Sequence, residues 1–218
     1  MWFGGAGAPL RSRARERAPA GVQGPAAAAD HRAVLIGLLF LGCVASVPLA
    51  GGRLGQLAAL TFRAPGLLVA AIAGQVLIVS VFPNVGSEAL HTTVHIGTYV
   101  VAALFVVANR RIPWVWLVAL GGMLNFTAIA ANGGVMPAAP NALEKAGFTI
   151  DPAGFTNSGA VSDPHLQFLG DVFWVPSSFP ISNVFSVGDV LILLGALLAM
   201  HCICASRIAL RRFAVPAV

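Results

Sequence analysis

The feature that most constrains this chain is a set of five apolar runs, at about residues 33–50, 66–82, 89–108, 113–131 and 187–204. Each is near the length of one membrane crossing, because a helix needs about 20 apolar residues to cross a hydrocarbon core roughly 30 Å thick. The expected fold is all-α: an integral membrane bundle of about five transmembrane helices, with one long extracytoplasmic loop between the fourth and the fifth. Composition points the same way. Hydrophobic residues make up 57% of the chain and charged ones 10%, and the mean hydropathy is +0.84. A soluble domain carries about 25% charged residues, so this chain cannot cover itself with polar surface. Its basic balance, 13 Lys and Arg against 8 Asp and Glu, would suggest nucleic acid in a soluble protein. Here the arginines gather at the ends of apolar runs, as membrane topology requires, and the expected partner is the lipid bilayer, not nucleic acid. The use of Arg for every cation but Lys145, with the Ala excess, suggests a GC-rich bacterial genome and hence a bacterial plasma membrane.

Local signals punctuate the runs. Residues 51–65 are too short to span and form a bent or interfacial connection. Pro83-Asn84 closes the second helix, Ser87 caps the third, and Pro113 takes the first position of the fourth. No internal repeat suggests an inverted-repeat transporter. Residues 132–184 hold no run long enough to span. Asn141 to Glu144 reads as a capping box opening a two-turn helix that stops at Gly147. The aromatics Phe168, Phe173, Trp174 and Phe179 anchor this outer loop on the bundle mouth or in the interface.

Arginine placement sets the sides. Arg53, Arg63, Arg110, Arg111, Arg207, Arg211 and Arg212 fall on one side without an acid, and Glu88, Glu144, Lys145, Asp151, Asp163 and Asp171 on the other. By the positive-inside rule the C-terminus is cytoplasmic and loop 132–184 is outside. The domain reading is a disordered basic tail over 1–32, a transmembrane domain over 33–205 and a basic cytoplasmic tail over 206–218. The N-terminal tail carries Arg11, Arg13, Arg15, Arg17 and Arg32, yet five crossings place it outside. A true start codon downstream of Met1 reconciles the two. A rival reading is a secretory signal ending at Leu41-Gly42-Cys43, to which Phe40 fits poorly. Cys43, Cys202 and Cys204 read as small packing residues, with no disulfide or zinc pattern.

Polar residues in lipid are the informative ones. Steps of three and four put His91, His95, Thr98 and Asn109 on one face of the third helix. His91 and His95, at i,i+4, make half a metal site; no third ligand is evident, neither metal nor cofactor is expected, and histidines on one helix cannot grip both faces of a haem. The structural alternative has both histidines hydrogen-bonding to neighbouring helices, with Gln75 and Asn125 as partners. His201 complements a helix C-terminus, and His165 is expected in solvent.

Asn132-Gly133-Gly134 with Pro137 reads as a helix stop, and Ser186 with Asp189 as a capping box at the start of the fifth helix. Both ends face the same side, and Asn125 shares a helix face with Asn132. His91, His95, Asn125, Asn132, Asp171, Ser186 and Asp189 therefore form the candidate binding set for a small solute or ion at the outer mouth. The alternatives are a structural or accessory subunit with a membrane-protein partner, and an interfacial enzyme using Asp189 or Asp171 as base with His91 or His165 as acid. No nucleophile elbow, carboxylate pair or phosphate loop supports catalysis, and no catalytic residue is assigned.

The stretches LAGGRLGQLAAL, Gln75, His95 to Tyr99, GGMLNFTAIAANGGVMP, FLGDVFWVP and VFSVGDVLILLG are together similar to an uncharacterised bacterial family of multi-pass membrane proteins, a domain of unknown function. The resemblance covers about residues 33–205. It implies a five-helix membrane protein with an outer loop and brings no activity with it.

Overall fold

The computed structural model describes residues 25–82, 85–148 and 158–209. Five long elements dominate: α1 (Pro25–Leu49), α3 (Pro65–Val76) continued by a π turn (Leu77–Val81), α4 (Glu88–Ala108), α5 (Val115–Ala131) and α7 (Val187–Ile203). A single turn, α2 (Gly55–Ala58), bends the chain between α1 and α3. Among the described residues one stretch, Ala89–Ala108, is long and apolar enough to cross a membrane; residues Gly37–Leu49, Pro65–Val76, Val115–Ala131 and Val187–Ile203 are shorter apolar helices.

The helices pack as a row, α1 on α7, α7 on α5, α5 on α4 and α4 on α3. Glycines set the tightest contacts. A Cβ at Gly121 would sit 2.4 Å from the Gly188 carbonyl oxygen, and one at Gly195 would sit 2.8 Å from the Val118 amide nitrogen. Backbones that approach this closely gain dispersion and leave no room for a side chain. Gly74 makes the equivalent approach of α3 to α4, against the Thr98 methyl at 2.7 Å. Gly42 and Gly66 face open space.

Between α5 and α7 the chain builds a crown, which corrects the all-α expectation. It contains β1 (Met136–Pro137), α6 (Pro140–Ala146), β2 (Ser158–Gly159), β3 (Asp171–Val175) and β4 (Asn183–Ser186). β1 pairs with β2 in parallel and β3 with β4 antiparallel. Ala138, Ala139, Ala142, Leu143, Ala146, Phe148 and Val184 give it a small core of its own. Short strands bounded by Pro and Gly carry too little alternation to announce themselves in a sequence.

Several boundaries differ from expectation for physical reasons. α1 begins at Pro25, inside the tail read as disordered. α5 begins after Pro113, because Trp114 takes a left-handed conformation (φ 62°). α6 opens on Pro140 without a side-chain cap, so Asn141 is inside the helix and is no capping residue, while Gly147 (φ 78°) ends it as expected. Ser87 does cap α4, accepting from Leu90 N–H at 3.2 Å. Pro83-Asn84, and Asp151 in the outer loop, lie outside the described residues.

At the end away from the crown, α1 and α7 finish each other. Each ends in a left-handed residue, Gly51 (φ 74°) and Ala205 (φ 50°). The next amide folds back on its own helix, Gly52 to Val47 at 2.9 Å and Ser206 to His201 at 3.1 Å, the Schellman closure. The chains then exchange partners: Arg53 N–H donates to the Cys204 carbonyl and Arg207 N–H to the Ala50 carbonyl, both at 2.9 Å. A Cβ on Gly52 would meet Ser206 Cβ at 3.0 Å, so only a glycine fits the crossing.

Candidate functional site

The crown end gathers most of the residues singled out by the sequence, and it uses them on one another. The capping box at the start of α7 forms as read: Asp189 N–H donates to Ser186 Oγ, and Ser186 N–H to Asp189 Oδ2, both at 3.0 Å. Asn125, from α5, closes the group. Its Nδ2 donates to Asp189 Oδ1 at 2.8 Å, and Ser186 Oγ donates to its Oδ1 at 2.8 Å. Gly188 makes this possible, since a Cβ there would lie 1.9 Å from Asn125 Oδ1. Asp171 stands opposite Ser186 across the β3–β4 ladder, fully buried, and accepts from Ser158 Oγ at 2.5 Å.

Asn132 belongs to a separate device. Its Oδ1 accepts from His165 N–H at 2.9 Å, and its Nδ2 donates to the His165 and Ala128 carbonyls at 2.7 Å each. The helix face shared with Asn125 therefore does not bring the two to one site. The glycines after it turn the chain (φ 66° and 95°), and Gly134 N–H returns to the Ile129 carbonyl at 2.9 Å. Met136 then folds onto Ala128 and Ile129 with Tyr99 alongside. Gly170 is required where the chain passes β1, because its Cβ would fall on the Pro137 carbonyl oxygen. The stretches around Pro137, Gly170-Asp171 and Ser186 thus lie against one another, Gly170 on Pro137 and Asp171 opposite Ser186. His165 is exposed at the side chain, as expected, and it is its backbone that is held.

The histidines lie elsewhere, along the buried face of α4 together with Thr98 and Asn109, as the helical spacing predicted. His91 turns Nε2 to the Phe82 carbonyl at 2.9 Å and Nδ1 to the Ser87 carbonyl at 3.1 Å. Both ring nitrogens face backbone oxygens, so the ring is not aimed at an ion shared with His95. His95 stacks on Tyr99, ring centroids 5.6 Å apart. Gln75 does bridge to α4, but to Thr98: its Nε2 donates to Thr98 Oγ1 at 2.6 Å, and that hydroxyl donates to the His95 carbonyl at 2.6 Å. The other atom of the amide, Gln75 Oε1, is buried with no hydrogen-bond partner among the described residues. Just beyond it the helix widens into the π turn, which bounds an apolar recess of about 200 Å³ lined by residues including Ile78, Phe82, Leu90, His91 and Val94.

Two residues that sequence reasoning gave no structural role form a buried relay at the opposite end. Ser46 Oγ donates its hydrogen to the Cys43 carbonyl at 2.7 Å and lies 3.0 Å from His201 Nε2. His201 Nδ1 lies 2.7 Å from Ser206 Oγ. His201, read as an end-of-helix cation, is thus the tie between α1 and the turn after α7. Its position near a helix terminus was legible; Ser46 lies 155 residues away, beyond any local pattern.

The fold and these sites define a class: a row of apolar helices whose ends are laced together, carrying a small crown in the connection from α5 to α7. The chain belongs to the family of unknown function DUF5317, whose model matches residues 59–201. A protein of Thermotoga maritima described as an "Uncharacterized protein" is 31% identical over 100 residues, 45% of this chain and 56% of that one. The match thus spans little more than half the length of that relative. No solved structure matches the chain.

Proposed function

We propose that this is a five-span protein of the bacterial plasma membrane, with its crown outside, that holds a small cation or hydrogen-bond-donating solute at the seam between α3 and α4. Two observations support the membrane setting. The helices are apolar around their circumference, with Leu38, Val69, Ile72, Val100, Leu104, Leu120 and Leu194 exposed; a helix of that kind is at home in lipid or a large core. Arg53, Arg63, Arg110, Arg111 and Arg207 stand at the end away from the crown, which is the cytoplasmic side by the positive-inside rule. The spans shorter than 18 residues fit a bilayer through local thinning and flanking anchors.

The single observation that carries the solute reading is Gln75 Oε1. A buried carbonyl without a partner costs about 1–3 kcal/mol, and it is removed by a guest that brings a donor or a positive charge. The outer motifs are less suited to such a guest, since Asn125, Ser186 and Asp189 already satisfy one another. The test is thermal unfolding of the detergent-solubilised chain in sodium, potassium, ammonium and choline chloride at equal ionic strength. One small cation is expected to raise the Tm by several degrees over choline, and Gln75→Met to abolish the rise. Identical Tm values in all four salts, or a rise that survives Gln75→Met, would sink the reading.

A second reading, an accessory subunit docking a membrane partner, draws on the crown. Phe168 is 67% exposed and Phe179 60%, with Phe173 and Trp174 also at the surface. Photo-crosslinking from position 168 or 179 in cells is the check: a protein adduct favours this reading, and lipid adducts alone oppose it.

A further inference from the structure

We infer that the arginine-bearing end recognises the head groups of anionic phospholipids, an inference that rests on the membrane-spanning reading above. Arg53, Arg63, Arg110, Arg111 and Arg207 are all exposed there. The acidic residues whose side chains are described, Glu144, Asp163, Asp171 and Asp189, belong to the crown or the start of α7. A one-sided set of arginines is explained by topology alone. Topology does not explain their fixing in two groups.

In the first group, the reciprocal closure of α1 and α7 sets Arg53 and Arg207 at equivalent positions, each amide on the other helix's terminal carbonyl at 2.9 Å. In the second, the buried side chain of Asn109 captures Arg63 from the loop before α3. Its Oδ1 accepts from Arg63 N–H and its Nδ2 donates to the Arg63 carbonyl, both at 2.9 Å. That bond brings a residue from the preceding loop beside Arg110 and Arg111. The C-termini of α1, α4 and α7 face the same way, and each carries roughly half a negative charge. Five guanidinium groups outweigh them, leaving a strongly positive face.

The apolar neighbours decide between a free phosphate and a lipid. Leu49 is 88% exposed, Trp116 54% and Phe62 41%, each within a few residues of one of these arginines along the chain. A soluble phosphate ester leaves such side chains in water, whereas the acyl chains under a head group cover them. The occupant is therefore a lipid phosphate of the surrounding leaflet, met by arginine forks.

The test reconstitutes the full chain into nanodiscs of phosphatidylcholine with and without phosphatidylglycerol and counts co-purifying lipid by mass spectrometry, with free glycerol phosphate as a further arm. Enrichment of phosphatidylglycerol by roughly tenfold over its bulk fraction is expected, from about a fivefold gain per arginine at an anionic surface diluted by exchange. Glycerol phosphate should not compete it off. Arg63→Gln with Arg110→Gln and Arg111→Gln should reduce the enrichment several-fold, and the corresponding Lys triple variant should restore part of it. Asn109→Ser, which keeps every charge but loses the clamp, should reduce it as well in the folded fraction. Equal retention of the two lipids, competition by glycerol phosphate, or enrichment unchanged in the Gln variant overturns the inference. Failure of the chain to enter discs of either composition overturns the membrane reading, and this inference with it.

Discussion

Asn109 and Asn132 close their helices by the same three hydrogen bonds, at opposite ends of the molecule. Each donates from Nδ2 to a carbonyl one turn back, Phe105 at 2.8 Å or Ala128 at 2.7 Å. Each also takes both backbone groups of one distant residue, Arg63 or His165. A side-chain amide is the one group that presents a donor and an acceptor in the geometry of a peptide. Asn109→Ala is expected to cost about 2–4 kcal/mol and the more exposed Asn132→Ala about 1–3 kcal/mol, from three lost bonds and the groups they orphan. Asp at either site keeps the acceptor but sets a carboxylate against two carbonyls, so it should be no better than Ala. Unfolding titrations in mixed micelles measure all four; a cost under about 0.5 kcal/mol at both positions would refute the clamps.

The α5–α7 contact makes a sharp contrast between glycines. Gly188→Ala places a methyl 1.9 Å from Asn125 Oδ1 and 2.6 Å from the Gly121 carbonyl oxygen, and neither can retreat without separating the helices. A loss of about 3 kcal/mol or more is expected. Gly122 has nothing within 4 Å of its would-be Cβ, and Gly122→Ala should be neutral or stabilising by up to about 1 kcal/mol. If the two variants unfold alike, the close crossing is wrong.

Asn125 and Asp189 should show energetic coupling. A double-mutant cycle of Asn125→Ala and Asp189→Ala is expected to give about 1–3 kcal/mol, as for groups in one buried network. Strict additivity would mean that capping of α7 is Asp189's whole contribution.

The relay at the far end specifies a tautomer. Ser46 has one hydroxyl hydrogen and gives it to Cys43, so toward His201 it can only accept. The neutral His201 ring therefore carries its proton on Nε2, which leaves Nδ1 to accept from Ser206. Nitrogen NMR of selectively labelled protein should report the Nε2–H form; the Nδ1–H form contradicts the arrangement.

Ala205 holds a left-handed conformation (φ 50°) at the place where α1 uses Gly51. A Cβ in that region costs roughly 1–2 kcal/mol, so Ala205→Gly should stabilise by about 1 kcal/mol or slightly less. A fall in Tm would show that the Ala methyl packs in a way the backbone argument misses.

These residues also mark the limit of reading a sequence. Ser87, Ser186 with Asp189, and the Gly133–Gly134 stop were legible because each closes on a neighbour within a turn or so. The polar face of α4 was legible because helical periodicity is local. Asn125 and Asn132 were read as one site because a helical wheel shows direction but not depth or partner; each finds its partner across the fold. The strands of the crown are too short to display a period. The glycines that matter most, Gly121 and Gly188, look no different from Gly42 or Gly66 until the facing helix is in place.

The reciprocal closure of α1 and α7 has a consequence for biogenesis. Ala50 offers its carbonyl to Arg207, and Cys204 offers its own to Arg53. The first helix described therefore has no finished C-terminus until the last one has been synthesised. A ribosome stalled before residue 207 would leave α1 formed but unlatched, and the joining of the two helices becomes the event by which the whole row registers that it is complete.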